Sequence, residues 1–383
     1  MDFTPTETER EAGALAAQVL ADTAVEPTRA WAALAETGLL ALGVPERLGG
    51  AGLGMTEVAA VVREVGRAGS RAPAWSTLTT VLPTLLAAEP DETRDDLACA
   101  VAAGEALVTA ALHEPSAPMT ESPATTAEHL GGTWRLDGVK TAVPFAAVSE
   151  RILVPASLPG GDVALFVVDP TGAGVRVTPV HTASGAPEAV VRLESAPVDP
   201  PLDTATAPGE SLRTLHRHAL AGAAVFGHGL LAGALALTKD HVATREQFGR
   251  PLATFQAVAQ QIADVYVAAR TVGLAADSAV WRLATATQSD ADTDLAVAAY
   301  WLADQAPAAV ATCHHLHGGV GLDETYPLHR YSSLLKDLVR GIGGVALRLD
   351  RVARPRKGTE WTSRSPQTSD GCAPSCAPTS PSC

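Results

Sequence analysis

Two stretches of the chain carry side chains that could act on a ligand. Arg245-Glu-Gln-Phe-Gly-Arg-Pro-Leu252, followed by Phe255-Gln256, sets a guanidinium, an aromatic ring and an amide close together. A guanidinium fork can grip a pyrophosphate through two parallel hydrogen bonds, while Phe248 offers a wall and Gln256 an amide to a ring system. The same letters also read as an ordinary helix end closed by Gly249. The second stretch is His314-His-Leu-His-Gly-Gly-Val-Gly-Leu-Asp-Glu-Thr-Tyr-Pro-Leu-His-Arg330. Its paired glycines, Gly318 and Gly319, would let backbone approach a ligand, with His315 close by. His314, His315 and His317 point in different directions on a helix, and no carboxylate or Cys pattern completes a set. A metal site is therefore not expected there.

Three blocks must position these stretches, and two changes of hydrophobic period mark them. Residues 1–104 read as all-α: Thr6-Glu-Thr-Glu9 is a capping pattern, and Trp31–Leu40, Met55–Gly66, Val81–Leu86 and Thr93–Ala103 place apolar residues at helical spacing. Residues 105–208 switch to short β-branched runs between Gly, Pro and Asp, the grammar of strands. Leu107–Leu112, Trp134–Leu136, Val139–Ala142, Ile152–Pro155, Val163–Val168, Val175–Pro179 and Val190–Leu193 are the candidates, with Asp137-Gly138 predicting a hairpin turn. Helical period returns over residues 209–352, most clearly at Val258, Ile262, Val265, Ala269, Val272, Ala276 and Val280. Residues 353–383 are rich in Pro, Ser and Thr and are expected to form a disordered tail, whose Cys372, Cys376 and Cys383 lack a fourth ligand for zinc.

Composition narrows the partners. Hydrophobic residues at 46% and charged residues at 18% are globular values, so the body of the chain is expected to fold. With aromatics at only 4%, its core must be Ala, Val and Leu in closely packed helices. A net charge of -14 repels polyanions and argues against nucleic acid. The five cysteines do not form a disulfide framework and the acidic amino terminus is no secretory signal, so a cytoplasmic location is expected. Ala219–Leu237 has the length of a membrane span, with His228 its only ionisable group. It is mostly Ala and Gly and runs into Thr238-Lys239-Asp240-His241, which favours a helix buried within protein.

The order α, small β unit, α with a long apolar hairpin, together with the two motifs in sequence, resembles the acyl-CoA dehydrogenase family over roughly residues 5–352. The resemblance implies an α+β fold: an N-terminal helical domain, a middle β-sandwich or barrel, and a C-terminal four-helix bundle. It also implies FAD, with Arg245, Phe248 and Gln256 reaching across a dimer interface to the neighbour's flavin, and His315, Gly318 and Gly319 near the cofactor. Departures are equally informative. The family's catalytic Glu abstracts the α-proton while the β-hydrogen leaves as hydride. Fifteen residues beyond Pro327, where most members carry it, stands Ile342; 26 residues before Arg245, where a smaller group carries it, stands Ala219. Ala142 and Pro144 replace an indole and a hydroxyl that meet the flavin in the family's Lys-x-Trp-Ile-Thr strand, and Ser-Ala-Pro-Met follows Glu114-Pro115 in place of Gly-Ala-Gly-Ser-Asp.

These losses beside a retained Arg245 motif resemble the non-catalytic subunit of the α₂β₂ acyl-CoA dehydrogenases of bacterial steroid side-chain degradation. That implies a paralogous acyl-CoA dehydrogenase subunit as partner, a bulky acyl-CoA as substrate, and an electron-transfer flavoprotein or similar acceptor. Two other readings stay open: a self-sufficient homotetramer with Glu324, Asp323 or another carboxylate as base, and a flavin-free scaffold that kept only the fold.

Overall fold

The computed structural model describes residues 4–88, 91–202, 209–285 and 288–353. Helix α1 (Glu7–Ala21) starts where the capping pattern predicts: Thr6 Oγ1 accepts the Glu9 N–H, and the Glu9 carboxylate accepts the Thr6 N–H, each at 3.1 Å. The box satisfies two amides that would otherwise lack partners. α2 (Pro27–Glu36), α3 (Met55–Arg67), α4 (Leu82–Ala87) and α5 (Glu92–Ala102) follow. A π-helical turn, Trp75–Val81, leads into α4, and there the Leu82 N–H reaches back five residues to the Thr77 carbonyl. Single π turns are rare and are frequently found at functional sites.

β1 (Val108–Ala110), β2 (His113–Glu114), β3 (Ala117–Pro118), β4 (Thr126–Leu130), β5 (Thr133–Pro144), β6 (Arg151–Ser157), β7 (Val163–Val168), β8 (Val175–Val180) and β9 (Glu188–Val198) form a curled sheet. β5 pairs antiparallel with β2, β4 and β9; β6 pairs antiparallel with β7 and parallel with β1. Side chains alternate between two cores. Ile152, Val154 and Ala156 pack with Phe166 and Val168 inside the sheet's own core, while Leu153 and Leu165 between them join the core of the helices.

The hairpin predicted at Asp137-Gly138 does not form, because β5 runs straight through it. The Asp137 carboxylate instead accepts the Ser195 N–H of β9 at 2.8 Å, and a bulge between Leu136 and Gly138 absorbs the turn-prone pair. A side chain at Gly138 would begin 2.5 Å from Thr125 Oγ1, so close approach rather than chain reversal requires glycine there. The true reversal is at Gly131-Gly132, whose φ of 61° and 85° close a two-residue hairpin between Leu130 and Thr133.

α6 (Glu210–Thr244), α7 (Gln256–Thr285), α8 (Gln288–His317), α9 (Leu328–Gly341) and α10 (Gly344–Ala353) make the carboxy-terminal helices, with a small hairpin of β10 (Glu246–Gln247) and β11 (Arg250–Pro251) between α6 and α7. The long apolar stretch is the buried middle of α6, which packs in one continuous core with α1, α3, α7, α8 and α9. The face predicted on α7 is present: Val265, Ala269, Val272, Ala276 and Val280 are buried. Apart from Ala353, the expected tail with its three cysteines lies outside the described residues.

Candidate functional site

A cleft opens where the π turn, the end of β5 and α9 meet, with Trp75, His113, Ala142, Pro144, Phe226 and Leu338 in its walls. Two carboxylates reach it, and both anchor protein. Glu188 accepts from Arg340 at 2.6 Å, and Asp337 accepts the N–H groups of Ala183 and Ser184 at 3.2 and 2.8 Å, fixing the loop between β8 and β9 to α9. His113 is 7% exposed and neutral, because burial pushes its pKa down to about 4. Ala219 and Ile342 are 1% and 0% exposed. The Ala219 carbonyl accepts the Trp75 indole N–H at 2.9 Å, and Ile342 ends α9 with its N–H on the Leu338 carbonyl. Neither position presents a proton acceptor to a substrate.

The sheet side of the cleft is held by a buried ion pair that sequence reasoning did not assemble. Lys140 is fully buried and donates to Glu114 and to the Pro155 carbonyl, each at 2.7 Å. Glu114 also accepts the Ala124 N–H at 2.6 Å, the Thr125 N–H at 2.9 Å and the Thr125 hydroxyl at 2.6 Å. Burial pushes Lys140 down to about 8 against the opposing pull of Glu114. Burial raises Glu114, but hydrogen bonds from Lys140 and Thr125 more than offset that and leave it below the usual carboxylate range. Both groups are therefore ionised at neutral pH. The pair ties β2 to the segment just before β4; between them Ser116 and Met119 have positive φ, as do Ala142 and Phe145 at the end of β5. Such conformations cost on the order of 1–3 kcal/mol each and persist only where surrounding contacts impose them.

At the far end of α6 the surface is of another kind. Arg245 caps the helix, and the turn at Phe248 and Gly249 has φ of 53° and 76°. Phe248 is 91% exposed and lies edge-on to Phe255, with ring centroids 6.1 Å apart, while Arg250 lies over the Phe255 ring at 4.1 Å. Gln256 begins α7, also exposed. His317 brings the glycine turn to the same end: it stacks on His241 of α6 at 4.4 Å, meets the Tyr326 hydroxyl at 3.1 Å and bonds the Cys313 carbonyl at 2.8 Å. His315, Gly318 and Gly319 are exposed beside it. Arg245, Phe248, His315 and the two glycines thus share one end of the bundle. Phe226, in the cleft, is 19 residues from Arg245 along α6, about 28 Å at the rise of an α-helix.

The Acyl-CoA dehydrogenase N-terminal domain model matches residues 6–105, and the Acyl-CoA dehydrogenase C-terminal domain model matches residues 213–340. Acyl-CoA dehydrogenase FadE28 of Mycobacterium tuberculosis is 44% identical over 350 residues, covering 91% of this chain and 97% of that protein. The chain belongs to the acyl-CoA dehydrogenase family. Among solved structures of acyl-CoA dehydrogenase fold, a chain of the ChsE4-ChsE5 complex from Mycobacterium tuberculosis superposes with a TM-score of 0.84 at 30% identity, over 92% of this chain and 98% of that one. A chain of the Tcur3481-Tcur3483 steroid ACAD superposes with 0.82 at 31% identity, over 90% and 96%. Within this family member, the sequence points to Arg245, Phe248 and Gln256, whose role in cofactor binding stays a proposal, but not to Trp75, Glu188 or Asp337. Trp75 carried no motif, and only its position in the π turn singles it out.

Proposed function

We propose that the chain is the non-catalytic subunit of a heteromeric, FAD-dependent acyl-CoA dehydrogenase that forms the α,β double bond of a bulky acyl-CoA of the steroid side-chain class. The carrying observation is the contrast between its two half-sites: Ala219 and Ile342 are apolar and sealed, while Arg245 and Phe248 stand exposed with little of their own chain against them. A separation of about 28 Å along α6 between this arm and the chain's own cleft supports a role toward another chain. The structural neighbours named above are two-component complexes, one of them called a steroid ACAD, which supports both the paralogous partner and the substrate class.

The residues fit FAD by halves. The exposed Arg245 guanidinium and the accessible backbone at Gly318 and Gly319 suit a pyrophosphate, with Phe248, Gln256 and His315 beside it. The cleft suits a flavin ring poorly: Ala142 has no ring to stack, Pro144 has neither hydroxyl nor N–H, and Glu114 takes the amides of Ala124 and Thr125. When bound, the flavin accepts the β-hydrogen as hydride. The base that takes the α-proton comes from the partner, and an electron-transfer flavoprotein is the acceptor class this reading implies.

Co-expression with a paralogous subunit tests it. The full chain alone should leave gel filtration with little FAD, and the co-purified complex should be yellow. Stoichiometric FAD on the solitary chain would sink the reading and favour the homotetramer.

A further inference from the structure

The two apolar positions, Ala219 and Ile342, lie on α6 and at the end of α9, and one side chain bridges the space beside both. Trp75 opens the π turn with its indole N–H on the Ala219 carbonyl at 2.9 Å. Indole Cδ1 faces Gly222 on α6, where a Cβ would come to 2.9 Å of it. The far edge of its six-membered ring faces Gly341, next to Ile342, where a Cβ would come to 3.1 Å. A glycine on each of two facing helices is what leaves room for the ring. Thr79, one turn on from Trp75, presses its hydroxyl against Gly222 so closely that a Cβ there would lie 1.8 Å away, so the π turn and α6 are in close contact at Gly222. The hydrogen bond fixes the orientation of the ring, because Trp75 Nε1 finds an acceptor on α6 rather than in the cleft.

We propose that Trp75 is a built-in plug: its indole fills the space between α6 and α9 that an acyl chain would need to bring its reacting carbons up to Ala219 or Ile342. The inference rests on the heteromer reading and deepens it, since an acyl chain entering this cleft would be stopped short of Ala219 and Ile342, so that the chain lacks access to the usual base positions as well as a base. Acyl-CoA is confined to the partner's cleft, and placing a glutamate at Ile342 would not by itself create activity.

The probe is octanoyl-CoA carrying a terminal diazirine, photolysed with the co-purified complex and with the full chain alone, and the labels are mapped by peptide mass spectrometry. Wild-type chain should carry little label on residues 219–222 or 341–342, behind the indole. Trp75→Ala should gain at least tenfold labelling there, competed by plain octanoyl-CoA, while Trp75→Phe, which keeps most of the ring, should stay near wild type. Circular dichroism checks the fold, and Trp75→Leu replaces Trp75→Ala if the latter fails to fold. Wild-type labelling equal to the variant's, or a folded Trp75→Ala or Trp75→Leu chain that labels no more than wild type, overturns the plug. Either result is separable from failure of the heteromer reading, which is decided by FAD content and by which chain's glutamate is required for turnover.

Discussion

The cleft and the arm differ in what their polar groups are bonded to. Among the described residues, both carboxylates of the cleft have protein partners: Glu188 holds Arg340 and Asp337 holds a loop, while behind the cleft Glu114 holds Lys140 together with two backbone amides. At the arm the guanidinium of Arg245 and the ring of Phe248 are exposed, on a turn whose backbone is in the left-handed region. Hydrogen-bonding capacity already used inside a fold is unavailable to a ligand, whereas exposed capacity on a well-formed hairpin is. On the proposed reading, the chain has lost the chemistry of one half-site and kept the part that would reach a neighbour.

The comparison breaks most completely at the base. In the assembled complex, Glu→Gln at the partner's catalytic position should lower turnover by at least about 10²–10⁴-fold, the usual worth of a general base. An active mutant complex would return the base to this chain and undo the reading of the cleft as inert.

The ion pair behind the cleft is next in size. Lys140→Met leaves Glu114 buried and uncompensated, and should cost roughly 3–5 kcal/mol of stability in denaturant unfolding. A loss under about 1 kcal/mol would show that water reaches Glu114, so that the cleft is less committed than its hydrogen bonds indicate.

At the arm, Arg245→Ala should weaken FAD retention by the complex roughly ten- to a hundredfold, as for one lost charge-assisted contact, with subunit assembly unchanged. Unchanged flavin content would leave the arm as an ordinary helix end.

Acid stability sharpens the contrast from the buried side. Burial holds His216 down to about 3, and His218 and His228 down to about 4. The unfolded chain, with histidines near 6.5, binds more protons between those values, so stability is full above about pH 6.5 and is lost as pH falls toward 4. His216→Leu should flatten that limb by up to about 1.4 kcal/mol per pH unit. An unaltered slope would mean that His216 is protonated in the folded chain.

The smallest effect belongs to Glu324. It is exposed in the turn that Asp323 closes by accepting from the N–H and hydroxyl of Thr325. Glu324→Gln should keep turnover of the complex within about tenfold. A dead variant with normal FAD content and assembly would make Glu324 the base and the homotetramer the better reading.

The sequence by itself determined what depends on neighbours three, four or two residues away. The capping box at Thr6, the apolar face of α7, the burial of α6 and the run Val163–Val168 all follow from periodicity, because amphipathic spacing acts within a single element. The exposed turn carrying Arg245 and Phe248 is likewise local, since these residues lie within one short segment of sequence. Only tertiary structure decided the rest. Glu114 and Lys140 are 26 residues apart and pair because β2 lies against β5. Asp137-Gly138 has the residue types of a turn but forms a bulge, because β9 supplies Ser195 as a partner. Trp75 meets Ala219 and Gly341 across 144 and 266 positions of sequence. A pattern read along the chain registers spacing, while burial, ion pairing and occlusion are set by which surfaces the fold brings face to face.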